Sequence, residues 1–423
     1  LVGSQWRKYK ESLFESGLNE VPELSESDFD ISVVNVEDNS IGSDIKSPYV
    51  VPPGIKRDID NTTIIQRRTN EQSLQLCFND LSDGDAKAVF KESNFDLINY
   101  GRIRMFIHAE ANNGEILTDN EVHAFLRFGS DYEHNYYEIE LPLKITRPSL
   151  LNQNSINIER LVWPEENEIN LDIQELLSLK SERNRLNIDV TTPFSKSSSN
   201  GNYTLKIVGR PNMSTVLNFM LGVRNPLSID RGDKSACVWF NELRLTDFDK
   251  TKGWAANANL NLKLSDFATV SSSARYTSVG FGSIQQRISE RTREERLQYD
   301  VSANINLDKF LPSKSGIKLP LYVAISKSKI TPKYDPLDKD IPLEASINAF
   351  DTKKEKRAYK NMTEENIESK SISLNNIRKE RTKKDSRSDF WDLENLSTSF
   401  AYNERKSSNV TTQSIEYKEH RAN

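Results

Sequence analysis

Trp254-Ala255-Ala256-Asn257-Ala258-Asn259-Leu260-Asn261-Leu262-Lys263-Leu264 is the stretch whose reading decides the fold. Trp254, Ala256, Ala258, Leu260, Leu262 and Leu264 take every second position, and Ala255, Asn257, Asn259, Asn261 and Lys263 fill the gaps. Successive side chains of a strand point to opposite faces, so this segment predicts a strand with one apolar face and one polar face. About ten such residues led by an aromatic suit a tilted strand crossing an outer membrane, lipid on one side and a polar lumen on the other. A half-buried strand of a soluble sandwich alternates in the same way. Recurrence favours the membrane reading: Val301, Ala303, Ile305 and Leu307 alternate with Ser302, Asn304, Asn306 and Asp308. Ile317, Leu319, Leu321, Val323 and Ile325 then alternate with Lys318, Pro320, Tyr322, Ala324 and Ser326.

Several blocks around these strands also resemble a known family. They are Trp239-Phe240-Asn241-Glu242-Leu243-Arg244-Leu245-Thr246-Asp247-Phe248, Gly253-Trp254-Ala255-Ala256, Asp266-Phe267-Ala268-Thr269-Val270-Ser271, Gly280-Phe281-Gly282-Ser283-Ile284-Gln285-Gln286-Arg287 and Tyr334-Asp335-Pro336-Leu337-Asp338-Lys339-Asp340-Ile341. Further blocks lie at Pro48-Tyr49-Val50-Val51-Pro52-Pro53-Gly54-Ile55, Asn70-Glu71-Gln72-Ser73-Leu74, Leu81 to Lys91, Met105 to Glu110 and Phe390 to Glu404. Together and in this order they resemble the SprA/Sov family, the outer-membrane translocon of the type IX secretion system of Bacteroidota.

The resemblance implies an all-β chain, part of a very large transmembrane antiparallel β-barrel with an inserted jelly-roll-like β-sandwich. Residues 1–73 are then a barrel exit and long acidic linker, 74–249 the sandwich, and 250–423 barrel strands with charged loops at 285–296 and 351–390. Lipid-facing positions would be Trp254, Leu260, Leu262, Leu264, Val301, Ile305, Leu307, Leu396, Phe400 and Tyr402. Lumen-facing positions would be Asn257, Asn259, Asn261, Asn304 and Asn306. The implied function is export of folded cargo proteins from periplasm to cell surface, including adhesins for gliding motility, by gated transport and not by catalysis. Implied partners are cargo with C-terminal signal domains, a PorV-type outer-membrane barrel, a periplasmic plug protein and outer-membrane lipid.

Other parts of the chain read as follows. It begins at Leu1 with no leader pattern, as an internal piece of a longer protein would. Trp6, Tyr9, Leu13 and Phe14 have helix-like spacing, so Trp6 to Gly17 predicts a short surface helix or a strand exit. Val21 to Asn61 is acidic and rich in turn residues, with one strand at Ile31 to Val36. Short strands are predicted at Leu74 to Phe78, Arg102 to Ala109, Val122 to Gly129, Tyr136 to Leu143, Leu186 to Val190, Tyr203 to Gly209, Thr215 to Arg224 and Val238 to Leu245, the rhythm of a sandwich. Asn170 to Leu179 predicts one helix. Beyond the first barrel strand, Phe267 to Val279 reads as its return strand, Gln285 to Arg296 as a polar loop, Asp351 to Lys384 as a helical or partly ordered loop, and Val410 to Tyr417 as a final strand.

Composition excludes several classes. With 57 Lys and Arg against 62 Asp and Glu, scattered along the chain, nothing marks a nucleic-acid partner. No apolar run of about 18 residues exists, so only strands could span a bilayer. The four histidines lack metal-ligand spacing, GxSxG is absent, and Gly280-Phe281-Gly282 lacks the third glycine of a dinucleotide loop. No cofactor or catalytic residue is therefore assigned. Arg231-Gly232-Asp233 reads as a tight turn. Cys77 and Cys237 show no metal or redox spacing; two unpaired core thiols are the favoured reading, with a disulfide in an oxidising periplasm the alternative. The competing function is a surface carbohydrate-binding or adhesion sandwich, with Tyr132, His134, Tyr136 and Tyr137 as its sugar platform.

Overall fold

The structure is a computed structural model that describes residues 5–10, 13, 29–43, 46–60, 67–151, 157–227, 232–287, 290–382 and 391–423. The chain divides into two compact units, Leu1–Asp249 and Lys250–Asn423. Strands of the first unit are β1 (Arg7–Lys8), β2 (Phe29–Asn35), β3 (Ile59–Asp60), β4 (Arg67–Arg68), β5 (Gln72–Leu81), β6 (Ala86–Phe95) and β7 (Tyr100–Ala111). They continue as β8 (His123–Gly129), β9 (Tyr136–Pro142), β10 (Ile169–Asp172), β11 (Phe194–Ser197), β12 (Thr204–Val208), β13 (Val216–Arg224) and β14 (Lys234–Phe248). Two antiparallel sheets result, ordered β1-β6-β13-β8-β9-β12-β11 and β10-β7-β14-β5-β2, with β3 and β4 a separate ribbon.

Alternation sets what each sheet buries. Leu76, Phe78, Val238 and Phe240 of the five-stranded sheet, and Leu126, Phe128, Tyr137 and Ile139 of the seven-stranded sheet, are at most 1% exposed. Two sheets with one fully buried face each are the arrangement of a sandwich. The other face of the five-stranded sheet carries a second small core: Trp239, Phe106 and Val34 lie with Tyr49, Val162 and Trp163. Residues 46–55 form a strap over it. Trp163 donates its indole N–H to the Val50 carbonyl (2.6 Å), and the Tyr49 hydroxyl donates to Glu71 Oε2 (2.5 Å) and lies 2.9 Å from Ser73 Oγ. The strap is the Pro48-Tyr49-Val50 block of the family resemblance.

Cys77 and Cys237 form a disulfide, which corrects the expectation of unpaired thiols. Antiparallel pairing of β5 with β14 sets the two residues directly opposite, 4.1 Å apart at Cα, a juxtaposition that sequence spacing alone does not reveal.

Several element expectations change. The helix α2 runs Ile173–Arg185, after α1 (Ile158–Val162), and its cap is Asp172, whose side chain accepts the Gln174 N–H, because Asn170 belongs to β10. No strand forms at Leu186–Val190, where Asn187 adopts φ 54°; the strand lies later, at Phe194–Ser197. β6 is an element beyond those expected from the sequence, and it pairs with β13 over most of its length. In Trp6–Gly17 the described residues are 6–10 and 13, of which Arg7–Lys8 form the strand β1; residues 11, 12 and 14–17 lie outside the described set, as does Arg231 of the expected tight turn.

The second unit holds one antiparallel sheet. Its strands are β15 (Ala255–Leu264), β16 (Ala268–Thr277), β17 (Glu294–Asn306), β18 (Ile317–Lys318), β19 (Pro320–Pro332), β20 (Glu365–Lys379), β21 (Ser397–Asn409) and β22 (Thr412–Ala422). The order is β15-β16-β17-β19-β20-β21-β22, with β18 beside β20. Helices α3 (Leu343–Asn348) and α4 (Lys353–Thr363) lie between β19 and β20. Two loop expectations are thereby corrected. Glu294–Arg296 extend β17, and Glu365–Lys379, inside the expected charged loop, is a 15-residue strand. Among the described residues no helix is long and apolar enough to cross a membrane.

Candidate functional site: an uncovered amphipathic sheet

Register assigns each residue of the second sheet to one of two faces. Asn259, Ser273, Asp300, Ser326, Ser369 and Arg405 form one row across six strands, and Asn261, Ser271, Ser302, Ala324, Ser371 and Asn403 form the next. This face is mostly polar, with small Ser, Asn and Ala side chains at its middle and the larger Arg275, Tyr322, Ile367, Arg405 and Tyr417 among them. Asn257, Asn259, Asn261, Asn304 and Asn306 all share it. Ser371 donates to Asn403 Oδ1 (2.7 Å), while Asn306 donates to the Asp266 carbonyl of the β15–β16 turn (2.6 Å).

The opposite face is aliphatic. Leu262, Val270, Ala303, Val323, Ile372 and Tyr402 form one row; Leu264, Ala268, Ile305, Leu321, Leu374 and Phe400 form the next. Leu260 is 53% exposed, Val301 41% and Phe400 45%, where the sandwich core stands near zero. Water would not tolerate so broad an apolar surface on an isolated protein.

The aliphatic belt runs diagonally. On β15 it is centred on Leu260, and on β17 on Val301 of the same row. On β18 and β19 it spans Ile317 to Ile325, centred on Leu321, two rows lower. On β21 it spans Leu396 to Tyr402, lower again. From β15 to β21 the midpoint falls by about five residues over five strand steps, most of it between β17 and β19; this average of ~3.4 Å along the strand for each ~4.8 Å across the sheet corresponds to a strand tilt of about 35°. Membrane barrels tilt their strands by about 35–45°, so a level bilayer crosses such a sheet on this diagonal. The belt is about nine residues tall where it is widest, or roughly 25 Å along the normal at that tilt, the height of a barrel's apolar band.

Aromatic side chains mark its margins. Trp254 packs on Tyr276 with ring centroids 4.6 Å apart, and Tyr402 on His420 at 4.9 Å, along the upper edge. Phe267 meets Phe310 at 5.3 Å below, where Trp391 is also exposed. Trp254 and Leu396 each stand one residue before their strand. Leu307 lies beyond β17, in a 3-10 turn whose first N–H bonds to the Leu319 carbonyl (3.0 Å), so strand alternation does not fix its direction.

In the sandwich, the expected sugar platform does not assemble. Tyr137 is buried in the core and Tyr136 lies under the Arg127 guanidinium, 4.0 Å from its ring centroid. Tyr132 packs edge-on against Phe90, and His134 stands apart in the exposed loop near Glu133. The face carrying Tyr136 holds a buried charge network instead. Glu138 bonds Arg127 (2.7 Å) and Lys206 (2.9 Å), while Arg224 bridges Glu138 and Glu140. Burial alone would raise the Glu138 pKa, but Arg127, Lys206 and Arg224 outweigh it and hold the carboxyl well below the usual carboxylate range. Sequence reading missed this network, whose partners come from four strands.

An all-β protein built from a disulfide-linked sandwich and a one-layer amphipathic sheet is the class that fold and surface define. The chain belongs to the SprA_N family, described as motility related/secretion protein, whose family model matches residues 1–347. That match takes in the sandwich and the sheet through β19; residues 348–423 lie beyond it. No curated protein matches the sequence.

Proposed function

We propose that the second sheet is part of the wall of a large transmembrane β-barrel in the outer membrane of a Gram-negative member of the Bacteroidota. The belt carries this reading, because a soluble two-layer protein has no reason to leave an aliphatic band uncovered on one face of a sheet and to displace it along the strands from β15 to β21. Leu260, Val301 and Phe400 meet lipid, and Asn259, Asn261 and Asn304 meet water in the lumen. The family's link to motility and secretion supports the finer reading that this barrel conducts protein.

On this reading the parent protein is the type IX secretion translocon, which exports folded cargo, gliding adhesins included. Its work is gated passage rather than bond chemistry. The Asn, Ser and Ala rows at the middle of this face offer passing cargo little apolar surface to hold. Cargo with C-terminal signal domains, a PorV-type barrel and a periplasmic plug protein are its partners. Deleting the parent protein tests the function: cargo should fail to reach the cell surface, and unchanged export would overturn the translocon assignment. Acyl-chain-borne quenchers test the membrane placement, since a fluorophore at Leu260 should be quenched and one at Asn259 should not.

A further inference from the structure

Above the upper edge of the belt, the lipid-side face of β19 to β22 turns from aliphatic to charged in a regular pattern. The row shared with Leu260 and Val301 continues as Lys370, Glu404 and Lys418. The row above it reads Lys327, Glu368, Lys406 and Glu416. Signs therefore alternate both across the strands and along them. Lys406 bonds Glu404 (3.0 Å) and Glu416 (3.2 Å), Lys418 bonds Glu416 (2.8 Å), and Lys370 bonds Glu368 (2.9 Å). All these lysines are close to half exposed, so the pairs can exchange partners at little cost.

The first charged row stands one row above Ile372 and Tyr402, or roughly 6 Å along the normal, and the second roughly 11 Å. The headgroup layer of one leaflet is about 5–8 Å thick. The backbone of the first row thus stands at the level of lipid phosphates and amines. The second row stands just above that layer, within reach of it only through side chains that extend back toward the first row, as Lys406 does to Glu404, or that are met from it, as Glu368 is by Lys370.

We propose that this alternating patch binds zwitterionic aminophospholipid headgroups of the phosphatidylethanolamine type, lysines taking the phosphate and glutamates the ammonium. It rests on the membrane placement of the sheet proposed above. A polyanionic lipid would gain from the lysines but be repelled by Glu368, Glu404 and Glu416, so charge complementarity favours the zwitterion.

The test uses the full-length parent protein in nanodiscs of phosphatidylethanolamine and phosphatidylglycerol at equal mole fraction, with retained lipid counted by mass spectrometry after detergent extraction. The wild type should retain phosphatidylethanolamine about fivefold over phosphatidylglycerol, or ~1 kcal/mol at about 1.4 kcal/mol per factor of ten. Replacing Glu368, Glu404 and Glu416 by Lys together should reverse the preference. Inverting every sign in both rows keeps the alternation and should keep the wild-type preference, which separates headgroup chemistry from loss of folding. Equal retention in the wild type and the triple variant overturns the proposal, as does preferential retention of phosphatidylglycerol by the wild type. If instead a fluorophore at Leu260 escapes acyl-chain quenching, the membrane placement itself fails and takes the headgroup site with it.

Discussion

An arginine placed on the lipid side should be costly wherever the belt's midpoint falls on each strand, which is not one row across the whole sheet. Leu260 and Val301 sit at the belt's midpoint on β15 and β17, so Leu260→Arg or Val301→Arg should each destabilise the inserted protein by ~2–4 kcal/mol. Ile305 lies four residues further along β17, roughly 11 Å lower at a tilt of about 35°, close to the lower interface. Ile305→Arg should therefore cost only ~0–1 kcal/mol. On β21 the order reverses. Glu404 shares the row of Val301, yet Glu404→Arg should cost only about 1 kcal/mol, the worth of a partly exposed pair with Lys406 and of the hydrogen bond it accepts from Tyr402. Phe400→Arg, two rows lower, should cost ~2–4 kcal/mol. Asn259→Arg should be close to neutral, because its side chain meets water. Equilibrium denaturant titration of the bilayer-inserted parent protein measures each value. If Glu404→Arg proves as costly as Val301→Arg, or Asn259→Arg as costly as Leu260→Arg, the tilted-belt reasoning fails.

The sandwich gives three further expectations. Reducing the Cys77–Cys237 disulfide should lower its stability by ~2–5 kcal/mol, read as a drop in its thermal midpoint on adding a reductant; an unchanged midpoint would refute it. Trp239→Ala should cost ~3–5 kcal/mol, since the indole is buried between the sheet and the Tyr49 strap, and protease should then cut residues 46–55 faster. Glu138 has its folded pKa held below the unfolded value of about 4.3, so its contribution is present above that pH and is lost as pH falls towards the lowered value. Acid titration of Glu138→Gln should show a shallower loss of stability below about pH 4 than the wild type; parallel curves would refute the role of the network.

How much was legible in the sequence depended on whether one strand carried its own signal. β15, β17 and β19 did, because each crosses the belt within itself and shows aliphatic residues on alternate positions for most of its length. The sandwich strands β7, β8, β9, β13 and β14 were legible by the same means. What needed a second strand was hidden: the disulfide arises from the register of β5 against β14, and the Glu138 network from side chains on β8, β9, β12 and β13. Neither pattern leaves a spacing rule in the chain.

The miss at β20 has a physical cause that follows from the tilt. In a level sheet every strand would show its apolar residues at the same height, and a strand with only Ile372, Leu374 and Ile377 on its lipid side would look like a weak strand or a loop. On the membrane placement proposed above, the tilt leaves the upper part of β20 and β21 in the headgroup layer and beyond, where charged and polar residues stand on both faces. Lys370 and Glu404 then stand in the same row as Leu260 and Val301 without being out of place. Charge density along a barrel strand therefore reports the height of each residue above the bilayer rather than the absence of a strand. A window of alternation that moves along the strand between one segment and a later one, as it does from β17 to β19 and β21, is the trace that tilt leaves in a linear sequence.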